Sequence, residues 1–264
     1  MTDRPILTHR LSGLETGPPV LLLNGGMMSI AGWEPIAQRL EPDYRVVRCD
    51  FRGQTLTPGE EARLEGHVAD VIALLDSLGL ERVHIAGTSF GGIIGLLLAA
   101  RHPERILSLA AMTTTERITP KMWQGTLRLR EAALAGASGG DGGVLLDLLL
   151  PGTYSAAYLE AQRDALTFHR RWVASLPLVW FRGTAAILSS LENLDLTPDL
   201  PRIVCPTLVL AGAADVTFPL EHSRALAAAI PHSRLEIVPD GPHGVVIEQA
   251  GRVADILLSF LQSI

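Results

Sequence analysis

The residues best suited to chemistry are a serine, an aspartate and a histidine far apart in the chain but similar in setting. Gly87-Thr88-Ser89-Phe90-Gly91 is a G-x-S-x-G pentapeptide between an apolar run, Arg82 to Ala86, and a helix-like run, Ile93 to Arg101. Between a strand and a helix this pattern forces a sharp turn that strains the serine backbone and exposes Oγ, and glycines on either side keep Cβ atoms out of the crowded bend. A serine hydroxyl is a poor nucleophile at neutral pH. It needs a base to take its proton, and the base needs an acid to fix its tautomer. The chain order that goes with such a turn is serine, acid, histidine. Asp215 lies just past the apolar run Thr207 to Ala211, and His243 follows the run Arg234 to Val238 inside Pro239-Asp240-Gly241-Pro242-His243-Gly244.

Competing residues fit less well. His67 and His102 fall on expected helices and His84 inside a strand. His9 is N-terminal and His169 lies in a helical region, while His222 and His232 flank a surface-type helix; for each of these histidines a structural or solvated role is expected. Glu116 is the main alternative acid, and Asp50 reads as a structural turn residue. Acyl transfer also needs donors for an oxyanion. The N–H of Phe90 is one candidate. The second belongs to the loop Asn24-Gly25-Gly26-Met27-Met28, with Gly26 first and Met27 next.

Short apolar runs alternating with helical patterns predict a mostly parallel sheet flanked by helices. Strands are expected over 20–24, 45–50, 82–86, 106–112, 207–211 and 234–238, and helices over 33–40, 64–78, 90–101, 221–230 and 251–261. The alternation stops between about 116 and 200, where helices over 120–134, 144–149, 155–175 and 178–191 follow one another without strands. Residues 1–115 and 201–264 are therefore expected to form one α/β core, and 116–200 an all-helical insertion capping it. The glycine-rich stretch 136–143 reads as a flexible loop. The insertion holds seven of the thirteen aromatic residues, so it is the expected source of apolar substrate contacts. Trp123, Trp172 and Trp180, with Met27 and Phe218 from the core, are the pocket candidates.

Composition narrows the function. A net charge of −6 without a basic block lacks the electrostatic footprint of nucleic-acid binding. No apolar run is long enough to span a bilayer, and Met1 to Pro5 lacks the features of a signal peptide. Cys49 and Cys205 read as buried free thiols, and the absence of a cysteine framework favours the cytoplasm. No metal-ligating or dinucleotide-binding motif is present, so neither metal nor cofactor is expected. Oligomeric state leaves no trace in the sequence.

The motifs together resemble the α/β-hydrolase family, in particular its cap-bearing esterase/lactonase group, which includes 3-oxoadipate enol-lactonases. The resemblance covers nearly the whole chain and rests on Leu22-Leu23-Asn24-Gly25-Gly26, Arg48-Cys49-Asp50-Phe51-Arg52-Gly53, the serine turn, Arg101-His102-Pro103-Glu104-Arg105, Gly212-Ala213-Ala214-Asp215 and Gly241-Pro242-His243. It implies a Ser89–Asp215–His243 triad and hydrolysis of a small ester or lactone. C–C bond hydrolysis, thioester hydrolysis and perhydrolysis use the same triad, and a non-catalytic ligand-binding protein is the alternative from another class. Two departures stand out. Asn24 occupies the place of the family's usual histidine before Gly25, and Arg52-Gly53-Gln54-Thr55-Leu56-Thr57 replaces the usual Arg-Gly-x-Gly-x-Ser.

Overall fold

The computed structural model describes residues 6–264; Met1 to Pro5, considered above as a possible leader, lie outside the described residues. Seven strands form one sheet: β1 (His9–Gly13), β2 (Pro19–Leu23), β3 (Arg45–Cys49), β4 (Val83–Thr88), β5 (Ile106–Met112), β6 (Thr207–Gly212) and β7 (Ser233–Val238). Their order is β1-β3-β2-β4-β5-β6-β7. Only β1 runs antiparallel, pairing His9 with Cys49 and Gly13 with Arg45. This strand is absent from the sequence reading. Its residues, HRLSG, are mostly exposed at a sheet edge and carry no apolar alternation.

The central strands are apolar throughout because both faces are covered. Alternate side chains divide into two cores. Leu21, Leu23, Ile85, Leu109 and Val209 join the core shared with α2 (Leu64–Ser77) and α3 (Phe90–Arg101). Val20, Leu22, Ala86, Ala110 and Leu208 join the core shared with α1 (Glu34–Leu40) and α11 (Ala250–Leu261). Helix α3 is buried from Phe90 to Ala100, which explains a sequence without a polar stripe. Each fully buried Leu or Ile contributes roughly 1.5–3 kcal/mol relative to an exposed one.

Between β5 and β6 lie five helices: α4 (Pro120–Ala137), α5 (Val144–Thr153), α6 (Ala156–Ala161), α7 (Arg163–Ala174) and α8 (Leu178–Ser189). The Thr119 side chain caps α4 through the Met122 N–H, and Ser155 caps α6 through the Tyr158 N–H. The single helix expected over 155–175 is broken at Gln162. A separate apolar cluster joins these helices: Ala132, Ala133, Leu145, Leu146, Val173, Trp180, Phe181 and Ala185. The glycine-rich stretch is tied into it, since a Cβ on Gly142 would sit 2.1 Å from the Phe181 ring. Helix α8 crosses the core at a glycine–glycine contact, where a Cβ on Gly183 would lie 2.4 Å from the Gly53 Cα. The remaining helices are α9 (Leu220–Ala229), after β6, and α10 (Val245–Glu248), after β7.

Register decides where loops meet. Leu23 pairs with Gly87, Thr88 with Met112, Met112 with Leu210, and Gly212 with Val238. The carboxyl ends of β2, β4, β6 and β7 are therefore level, and the loops carrying Gly26, Ser89, Asp215 and His243 all open on one edge of the sheet. Open α/β sheets bind ligands at that edge.

Candidate active site

Ser89 joins β4 to α3 with φ 52° and ψ −117°, a conformation costly for a residue with a Cβ. The bend is packed so tightly that a Cβ on Gly87 would lie 2.3 Å from the Gly91 carbonyl oxygen, and one on Gly91 would lie 2.2 Å from that of Leu23. Three hydrogen bonds hold the backbone of the strained residue, one of them from the Ile93 N–H to its carbonyl at 3.1 Å. The Ser89 N–H donates to the Met112 carbonyl, and the Thr114 hydroxyl donates to the Ser89 carbonyl at 2.8 Å.

The Ser89 hydroxyl lies 3.0 Å from His243 Nε2, and His243 Nδ1 lies 2.9 Å from Asp215 Oδ2. The tautomer follows from the partners. A carboxylate only accepts, so Nδ1 carries the proton, and Nε2 is left with a lone pair facing the serine. Asp215 is itself fixed, because its Oδ1 accepts from the Thr217 and Phe218 N–H groups, both at 2.8 Å. The Phe218 ring meets the His243 ring edge to face at 5.1 Å between centroids. The helical segment adds a third restraint. The last carbonyls of α5 accept from the two loops: Gly152 from the Thr217 hydroxyl at 3.0 Å, and Thr153 from the Gly244 N–H at 2.7 Å. Ser155 then donates to Glu248 through both its N–H and its hydroxyl.

The loop after β2 lies on the serine turn. A Cβ on Gly25 would sit 3.7 Å from that of Ser89, and one on Gly26 would sit 3.9 Å from that of Phe90. Among the described residues, the N–H groups of Gly26, Met27 and Phe90 have no hydrogen-bond acceptor. A polarised serine beside free N–H donors can attack a carbonyl and hold the resulting oxyanion.

Of the pocket candidates, Phe218 is buried against His243, and Met27 packs on the cluster that contains buried Trp180. Trp123 packs on the main core with the Arg130 guanidinium 5.5 Å above its ring. Trp172 is 39% exposed and stacks on His169.

Two features escaped the sequence reading. His222 takes the structural one of its two expected roles, buried with its Nδ1 3.0–3.1 Å from both carboxylate oxygens of Glu116, a pairing the sequence did not show. The alternative acid is thus engaged by a different histidine. Asn24, Asp50 and Gln54 also share one buried network. Burial pushes the Asp50 carboxyl above its usual range, against the pull of donors from Leu56, Ile30 and Asn24. Burial likewise raises the Cys49 thiol far from reactivity. Among the described residues no cluster of three or more His, Cys, Asp or Glu is arranged to hold a metal, and no single helix is long and apolar enough to cross a membrane.

Known proteins resemble this chain in sequence and in fold. A protein of Caulobacter sp. (strain K31) that bears the name carbamate hydrolase RutD is 32% identical over 246 residues, covering 87% of this chain and 85% of that protein. The 3-oxoadipate enol-lactonase 1 of Acinetobacter baylyi is 26% identical, covering 98% and 94%. The enol-lactonase structure from Burkholderia xenovorans LB400 superposes with a TM-score of 0.86 at 29% identity, covering 97% and 96%. Residues 18–250 match the alpha/beta hydrolase fold family, and the chain belongs to it.

Proposed function

We propose that this protein is a serine hydrolase that cleaves small carboxylic esters or lactones through an acyl-enzyme. The observation that carries the proposal is the unbroken relay from Asp215 through His243 to the Ser89 hydroxyl, with both links at 2.9–3.0 Å. Ser89 Oγ attacks the substrate carbonyl as its proton passes to His243 Nε2. The tetrahedral oxyanion accepts hydrogen bonds from the N–H groups of Phe90 and Gly26. His243 returns the proton to the leaving alcohol as the C–O bond breaks, and Asp215 stabilises the transient imidazolium. Water, deprotonated by His243, then attacks the acyl-enzyme, and Ser89 leaves with the proton. Apolar contacts from Met27 and Phe218 favour an uncharged acyl group.

The relatives' names support an acyl carbonyl as the reacting group: a carbamate hydrolase and enol-lactonases. Thioester, C–C bond and peroxide chemistry differ from this reading only in the leaving group or the final acceptor. The test is the initial hydrolysis rate of p-nitrophenyl esters of rising acyl length, for the wild type and Ser89→Ala. Turnover that vanishes in Ser89→Ala is the expected result, and the preferred acyl length measures the pocket. Saturable ligand binding without turnover, unchanged by Ser89→Ala, would replace this reading with a binding role.

A further inference from the structure

We infer that Gln54, clamped by Asn24, is a positioning residue that sets the oxyanion donors before substrate arrives. This inference rests on the serine-hydrolase reading. Gln54 Nε2 donates to two successive carbonyls, Gly25 at 2.7 Å and Gly26 at 3.1 Å. In a planar trans peptide the C=O and the following N–H point in opposite directions. Fixing the Gly25 carbonyl therefore fixes the Gly26 N–H, and fixing the Gly26 carbonyl fixes the Met27 N–H. One side-chain amide thus reaches both peptides that carry the candidate loop donors, and the Met28 N–H shares the Gly25 carbonyl with it at 3.1 Å. The need is physical. Two adjacent glycines rotate with little steric resistance, and a rotated peptide would aim a carbonyl oxygen at a developing anion.

The Gln54 amide cannot flip, because its Oε1 already accepts from Asn24 Nδ2 and the Phe51 N–H, both at 2.9 Å. Asn24 is held in turn. Its other amide hydrogen goes to Asp50 Oδ1 at 3.0 Å, and its Oδ1 accepts from Trp33 Nε1 at 2.9 Å. Asp50 also accepts from the Ile30 and Leu56 N–H groups. Asn24, Asp50 and Gln54 are all buried, and each side-chain amide atom among them has a partner. A fully satisfied buried network is rigid. The two departures from the family's usual sequence are thereby one device, since the residue at each position bonds to the other.

The experiment compares Gln54→Glu and Gln54→Met with the wild type. Gln54→Glu keeps the side chain's size and the bonds from Asn24 and Phe51 but leaves at most one donor, the O–H of a protonated carboxyl, for the two carbonyls. Gln54→Met removes every bond. Rates are normalised to the serine titrated by a fluorophosphonate, so misfolded protein is not counted. A positioning role acts on the transition state. The expected kcat loss is roughly 100-fold with KM changed less than about threefold. Affinity for an aryl trifluoromethyl ketone, whose serine adduct carries the oxyanion, should fall by the same factor as kcat/KM. A merely structural role would lower the titratable fraction and leave the rate per titrated serine intact, and that result overturns the inference. So would a change confined to KM, or an unchanged ketone affinity. A wild type with no Ser89-dependent turnover overturns the serine-hydrolase reading and this inference with it. Wild-type turnover that depends on Ser89, with both Gln54 variants at full rate, overturns this inference alone.

Discussion

Replacing Asp215 by asparagine changes one atom, and the structure dictates where the new amide must point. Oδ1 accepts two backbone N–H groups, from Thr217 and Phe218. The asparagine carbonyl has to stay on those donors, which puts its NH2 where Oδ2 now faces His243 Nδ1. Nδ1 must then accept, the imidazole proton moves to Nε2, and the lone pair facing Ser89 is lost. Recovering the working tautomer requires turning the amide over, which leaves the buried Phe218 N–H and the partly buried Thr217 N–H facing an NH2. At about 1–3 kcal/mol per unsatisfied buried donor, the cost is roughly 2–6 kcal/mol. At 1.36 kcal/mol per tenfold, kcat should fall roughly 30- to 30,000-fold. The assay is single-turnover acylation by p-nitrophenyl acetate at pH 8, with Glu116→Gln as the parallel variant. Glu116 is engaged by His222, so its variant should acylate near the wild-type rate. Asp215→Asn within fivefold of wild type would refute the tautomer argument, and a collapse in Glu116→Gln instead would transfer the acid's role to Glu116.

Two further outcomes follow from packing and burial. Gly183→Ala places a Cβ 2.4 Å from the Gly53 Cα and 2.7 Å from the Gly53 and Gly59 carbonyl oxygens, so α8 must lift from the core. A loss of about 1–3 kcal/mol, read as a Tm several degrees lower, is expected. His67 is buried between the Phe51 and Phe90 rings with Nε2 donating to the Glu61 carbonyl. Burial holds its imidazole below the ordinary histidine range, against the upward pull of that hydrogen bond. The unfolded chain therefore binds the proton first, and the stability contributed above about pH 6.5 is lost as pH falls towards the folded value. The acid limb of Tm against pH should be shallower in His67→Gln; parallel limbs would show that His67 does not contribute.

Much of this arrangement was legible in the sequence for a definite reason. Ser89, Asp215 and His243 each follow an apolar strand, and parallel strands bring their carboxyl ends level, so chain position alone predicts convergence. Strand β1 was not legible, because HRLSG is mostly exposed and carries no apolar alternation, whereas β7 at the other edge alternates and was expected. The Glu116–His222 pair joins residues 106 positions apart, and neither has a local signature. His222 sits on α9, where its neighbours Glu221 and Arg224 suggest solvent, yet its own side chain points into the fold. Gln54 and Asn24 stood out as departures, but their shared purpose appears only when two loops meet.

The link between the helical segment and the two loops consists largely of main-chain carbonyls. Gly152 and Thr153 offer the oxygens that every helix leaves unpaired in its last turn. These two contacts demand a helix end at one point in space, and the Ser155 hydroxyl on Glu248 adds a bond that does depend on the side chain. Side chains of α5 that face away from these contacts can therefore vary while its last carbonyls still anchor the Asp215 and His243 loops. A grafted segment from a relative should therefore hold or release these loops according to where its second helix stops.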